Sequence, residues 1–180
     1  MPAPIAIAII RRPKIGMVEQ SEASYLLIRR VGAPYQGRWA LVGGKWEFGE
    51  TLVTAAVREV SQETGLDAEF VALHGIVSER LGPAESEGSG AAHFLLFVCQ
   101  VDVQDGEARE QQEGAVAWFT SRQIDDLHLK QAIVASDYVM LQRFAGAARI
   151  PYHEADLLQR PVAGDSGPAS ERLARFEEAG

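Results

Sequence analysis

The chain has 180 residues, enough for one domain that buries its own core. A hydrophobic fraction of 47% beside a charged fraction of 23% is that of a globular chain and excludes a disordered or low-complexity one. The net charge of −8 argues against nucleic acid as a partner, because that binding rests on Lys and Arg contacts to phosphate.

An anionic ligand would therefore need a positive mediator, and a divalent cation is the economical one. The single cysteine, Cys99, cannot form an internal disulfide; its setting, HFLLFVCQV, marks a buried structural thiol. The start, MPAPIAIAIIRRPK, has a short apolar stretch followed by basic residues, the reverse of a secretion signal. No run approaches the ~20 apolar residues of a membrane helix. These features predict a cytoplasmic protein with no membrane partner.

In chain order, residues 4–11 (PIAIAIIR) and 24–30 (SYLLIRR) are short, apolar and rich in β-branched or aromatic residues, so they read as strands. A polar turn with Pro13 and Gly16 joins them. Residues 32–38 form a loop, and WALVGG is a short strand running into Gly43 and Gly44. Residues 51–64 (TLVTAAVREVSQET) read as a helix, with Thr51 as N-cap and Gly65 as the C-terminal stop. Longer strands follow over 69–81 and 91–103, joined by the Gly/Ser-rich acidic segment GPAESEGSG. AVAWF at 115–119 is another strand, and 121–127 and 129–146 read as helices. The second helix carries an apolar stripe of Ile133, Val134, Val139, Met140, Leu141 and Phe144, fit for a core or for a homodimer surface. The fold class is α/β (α+β), a mixed β-sheet with flanking helices. Residues 1–150 form the domain; residues 151–180 are a C-terminal extension, helical or disordered.

The chemistry lies in GGKWEFGETLVTAAVREVSQETGL. Glu59 and Glu63 stand four apart on the helix and share a side, with Gln62 beside them. The apolar positions 53, 56, 57 and 60 are expected on the opposite side. Two close carboxylates repel each other, and a divalent cation relieves that conflict while attracting phosphate oxygens. Such a cation also polarises a phosphoryl group and helps make hydroxide from water. A lone Glu pair at this spacing is far more often a solvated helix face, so the longer pattern has to carry the case.

That pattern resembles the Nudix box: Gly, five residues, Glu, seven residues, then Arg-Glu-aliphatic-x-Glu-Glu-x-Gly-aliphatic. Here it runs Gly44, Glu50, Arg58, Glu59, Val60, Gln62, Glu63, Gly65, Leu66, matching at eight of nine specified positions. The flanks agree: LLIRR, then Gly37-Arg38-Trp39 leading to Gly43-Gly44, and later Glu113 to Phe119. The resemblance covers about residues 3–145. It implies an α/β/α sandwich and a Mg²⁺- or Mn²⁺-dependent pyrophosphohydrolase. The substrate class would be a small-molecule nucleoside diphosphate linked to a further group: a nucleotide sugar, ADP-ribose or a nucleoside triphosphate.

By the same resemblance Glu59 is a principal metal ligand and candidate base, and Glu63 the second carboxylate ligand. The Gly43 carbonyl completes the shell, Arg58 orients Glu59, and Glu50 braces the loop. Gln62 departs from the family's usual Glu and should weaken one metal site. It also opens an alternative, a catalytically weak or inactive nucleotide-binding module. Glu113, Glu110 and Glu79 are candidates for the missing charge, with Glu113 foremost. Arg29 and Arg30 end a strand near the box, where either could meet substrate phosphate or simply be solvated. Trp46 could stack on a base or pack. Pro83 stands near an offset associated with ADP-ribose cleavage in some members of the family.

Overall fold

The computed structural model describes residues 1–12, 23–82, 91–104, 108, 114–160 and 170–178. Strand β1 (Ala3–Arg12) is the axis of a seven-stranded sheet. Its run AIAII is buried on both faces: Ala6, Ala8 and Ile10 point to one core and Ile7 and Ile9 to the other. Side chains alternate along a strand, so an unbroken apolar run demands cover on both sides.

The partners of β1 divide the sheet. β4 (Val42–Lys45) pairs antiparallel with its first half, and β2 (Ser24–Arg29) pairs antiparallel at Arg11 and Arg12. On the other edge lies β6 (Ala92–Val103), parallel to β1, and then β5 (Ala68–Leu81), antiparallel to β6. β3 (Trp39–Ala40) and β7 (Val116–Thr120) pair with β2.

Helix α1 (Leu52–Thr64) covers one face, with Leu52, Ala55, Ala56 and Val60 buried in the first core. Its bounds follow from local chemistry. Thr51 accepts a hydrogen bond from the Thr54 amide, and Gly65 takes the left-handed conformation at φ 70° that favours glycine. Helices α2 (Ser121–Leu129) and α3 (Ala135–Phe144) cover the other face through Ile124, Met140 and Leu141. The mixed sheet between helices is the predicted fold class.

The long helix predicted over 129–146 begins only at Ala135. Gln131 sits at φ 54°, and the backbone after it joins Trp39 instead: Trp39 N–H donates to Ala132 O and Val134 N–H donates to Trp39 O, each at 2.8 Å. A sheet-like bridge to a residue almost a hundred positions away overrides the local apolar periodicity. Met140 is buried, which makes it core.

The sequence predicts a helical or disordered extension, yet β8 (His153–Arg160) and β9 (Ser170–Glu178) pair as an antiparallel hairpin. Glu, Arg, Ala and Leu are good helix formers, so local propensity misleads here and pairing decides. Cys99 is buried, and that burial raises its thiol to about 12, as suits an inert structural thiol. Among the described residues no helix is long and apolar enough to cross a membrane.

Candidate active site

Helix α1 turns its carboxylates inward. Glu59 and Glu63 are buried along with Leu52, Ala55, Ala56 and Val60, on the same face. This corrects the expectation of opposite faces. Positions 52, 56, 59, 60 and 63 recur at three- and four-residue steps and form one stripe. Val53 and Val57, expected on the apolar face, are only half-buried.

Two glycines of β4 make room for these acids. A Cβ on Gly44 would lie 2.5 Å from the Glu59 Cδ and Oε2, so only glycine leaves that carboxylate its place. Gly43 has φ 152°, and its N–H donates to Glu63 Oε2 at 3.0 Å. A Cβ on Gly43 would overlap the carbonyl of Ala6 on β1.

Arg58 ties the box together. Its guanidinium grips Glu50 with two hydrogen bonds, Nε to Oε1 at 2.7 Å and Nη2 to Oε2 at 2.9 Å. Nη1 donates to Glu59 Oε1 at 2.7 Å and to Gln62 Oε1 at 3.1 Å, and Nη2 to the Lys45 carbonyl at 3.0 Å. The hydrogen bond from Arg58 holds the Glu50 carboxyl below its ordinary range, and the bond to Glu50 in turn raises Arg58. Gln62 is exposed and its amide oxygen is turned to Arg58.

The donor set suits a hard cation. It comprises two carboxylates on one helix face beside the Gly43–Gly44 backbone. Among the described residues no three of His, Cys, Asp and Glu gather as a metal cage. Mg²⁺ is commonly held by one or two carboxylates plus substrate phosphates and water, so two suffice. Glu79 does not gather with Glu59 and Glu63 into such a group; it accepts from the Tyr35 hydroxyl at 3.3 Å in the adjoining cavity. Glu110, Glu113, the acidic segment after residue 82 and Pro83 lie outside the described residues.

That cavity, of about 340 Å³, opens beside Gly43 and Gly44. Ile5, Ile7, Phe94 and Leu96 give it an apolar wall, while Arg30, Tyr35, Glu79 and Asp137 supply polar groups. Of the two strand-end arginines only Arg30 reaches it, and its Nε is buried without a hydrogen-bond partner. Arg29 is exposed and donates to Gly37 O at 3.2 Å. Trp46 packs edge-on against Phe97 at 5.1 Å, and its indole N–H donates to Glu50 O at 2.9 Å. That placement favours bracing over base stacking.

Sequence reading passed over Tyr35 and Asp137. Asp137 had a signal: it is the one acid inside the apolar stripe IVASDYVML. Its Oδ2 accepts from Leu41 N–H at 2.7 Å. Burial raises its carboxyl to about 7, with Glu79 adding to the rise and the Leu41 amide and Arg30 opposing it. A raised acid keeps its proton in the fold while the unfolded chain loses it from about 3.8 upward. Asp137 therefore takes stability away as pH climbs from about 4 to about 7. Asp137→Asn should remove that slope. Denaturant unfolding at pH 5 and pH 8 should show the variant gaining on wild type at the higher pH; an equal difference at both would refute the assignment.

The relatives of this chain are hydrolases of phosphorus-containing anhydrides, and the comparisons place it among them. The chain belongs to the Nudix family: the NUDIX domain model matches residues 4–144. An ADP-ribose pyrophosphatase of Methanocaldococcus jannaschii is 30% identical over 125 residues, which cover 69% of this chain and 70% of that protein. A putative 8-oxo-dGTP diphosphatase of Mycobacterium tuberculosis is 32% identical over 103 residues, 57% of this chain and 68% of that one. The crystal structure of a MutT NUDIX hydrolase from Burkholderia pseudomallei superposes with a TM-score of 0.60 at 27% identity, covering 79% of this chain and 98% of the other.

Proposed function

We propose that the protein is a Mg²⁺-dependent pyrophosphohydrolase that cuts the diphosphate linkage of a nucleoside diphosphate joined to a further group. The observation that carries this is the inward pair Glu59 and Glu63 over Gly43 and Gly44, with a nucleoside-sized cavity at the same glycines. A divalent cation there (Mg²⁺ or Mn²⁺) would neutralise the two carboxylates and polarise the phosphate oxygens. Glu59, held in place by Arg58, takes the proton of the attacking water. Glu50 keeps Arg58 aimed. The cavity seats the nucleoside, with Arg30 and Asp137 offering the polar contacts.

ADP-ribose and other diphosphate-linked nucleotides head the substrate candidates, in keeping with the ADP-ribose pyrophosphatase of Methanocaldococcus jannaschii. The test is a panel of ADP-ribose, nucleotide sugars and (oxidised) nucleoside triphosphates, run with Mg²⁺ and with chelator. Cleavage of ADP-ribose to AMP and ribose phosphate is expected with metal alone. Cleavage restricted to triphosphates would move the substrate class.

A second reading, a nucleotide-binding module, draws on Gln62. Its amide oxygen faces Arg58 at the exposed edge of the site, so a negative charge at this position is not central to the arrangement seen. Gln62→Glu should therefore change turnover by less than about tenfold, within 1.4 kcal/mol of barrier. A gain of a hundredfold or more would show that the box is crippled as it stands.

A further inference from the structure

The family match ends at residue 144, and the segment beyond it reaches back to the box. We infer that the C-terminal hairpin is a positioning element for α1, acting through Glu154. The inference rests on the reading of α1 as the metal-holding helix.

The first turn of α1 contains no acidic residue, although the N-terminal end of a helix favours negative charge and leaves its amides without internal partners. Thr51 serves one of them, the Thr54 N–H, at 3.0 Å. The Leu52 N–H is served from 102 positions away: it donates to Glu154 Oε1 at 2.8 Å. The missing carboxylate of the helix start is thus supplied by the hairpin.

Glu154 is fixed for this task. Its side chain is 9% exposed, Arg175 on β9 donates Nη2 to its other oxygen at 3.1 Å, and the Tyr152 hydroxyl donates at 3.2 Å. Arg175 also meets Asp156 at 2.9 Å, which ties β9 to β8 around this carboxylate. The Tyr152 ring stands edge-on to Trp46 at 6.4 Å, and Trp46 holds the Glu50 carbonyl.

The hairpin and Tyr152 just before it therefore touch both ends of the segment from Trp46 to Leu52. That loop carries Glu50, Glu50 grips Arg58, and Arg58 holds Glu59. Loosening the helix start frees this relay and the aim of Glu59. Glu154 touches no substrate; it acts through α1 and the loop.

Full-length Glu154→Ala, Glu154→Gln and Arg175→Ala test this, each with three readouts: Mn²⁺ binding by electron paramagnetic resonance, amide exchange over residues 50–56, and kcat and KM. Glu154→Ala should weaken Mn²⁺ binding and lower kcat by about fivefold each, with KM held within about twofold. Exchange at Leu52 should rise in step. Glu154→Gln keeps the acceptor and should recover most of the loss, with Arg175→Ala falling between. If Glu154→Ala binds Mn²⁺ and exchanges like wild type while only its melting temperature drops, the hairpin is a stabiliser and the inference fails. Should Glu154→Ala not fold, the same readouts on Arg175→Ala decide. A wild-type protein that turns nothing over would count against the proposed activity, whereas metal binding and exchange would still judge the hairpin.

Discussion

Glu59→Gln should lower kcat about 10²–10⁴-fold while the protein stays folded, the usual range for losing a positioned acid–base group. The amide has the same size and still offers an oxygen to Arg58, so the 2.7 Å contact has a substitute. It has neither the charge to hold a cation nor the basicity to accept a proton from water. Stability should move the other way. Glu59 and Glu63 are both buried on one helix face, and without metal they repel. In chelator the variant should therefore melt at or above the wild-type temperature. Steady-state kinetics with Mg²⁺ and thermal unfolding in chelator give the two numbers. Retained turnover would mean that Glu59 is not the group assigned.

Gly44→Ala should separate the site from the fold in a second way. The added Cβ would meet the Glu59 carboxylate at 2.5–2.6 Å, which forces a shift of that group. A carboxylate at the end of a flexible side chain yields cheaply, and Gly44 does not share the positive φ of Gly43. The fold should survive with a loss of about 1 kcal/mol or less, as for a substitution without a large packing defect. Turnover should fall about a hundredfold, because displacement by about 1 Å is enough for that. Gly43→Ala makes the contrast: its Cβ strikes the backbone of β1 at φ 152°, so that variant should not fold well. Equal stability losses in the two alanine variants would contradict this division.

Much of the architecture could be read from short-range signals. Thr51 and Gly65 bound α1 because caps are local chemistry, and AIAII marks a strand covered on both faces. The box spacing brought Glu50, Arg58, Glu59 and Gln62 to one place, where the structure joins them by hydrogen bonds. What escaped reading depends on partners distant in the chain. The inward turn of Glu59 and Glu63 depends on the room left by Gly43 and Gly44 on β4. The break before Ala135 depends on Trp39. The cavity gathers Arg30, Tyr35, Glu79 and Asp137 from four separate segments; Arg30 and Glu79 stand out in the sequence, whereas Tyr35 does not and Asp137 does so only as the acid inside an apolar stripe. The hairpin escaped because its strands are written in helix-forming residues, with Leu157, Leu173 and Phe176 exposed where a strand pattern would bury them.

On the proposed reading, the acidic pair on α1 holds the metal that this anhydride hydrolase needs. The most direct test follows wild-type protein and ADP-ribose by phosphorus NMR while Mg²⁺ is titrated from zero. The expected result is no reaction in chelator and, with rising Mg²⁺, loss of the diphosphate signal to two phosphomonoester products. Tight nucleotide binding that is indifferent to Mg²⁺, with the diphosphate of ADP-ribose and every other nucleotide tried left intact, would contradict it.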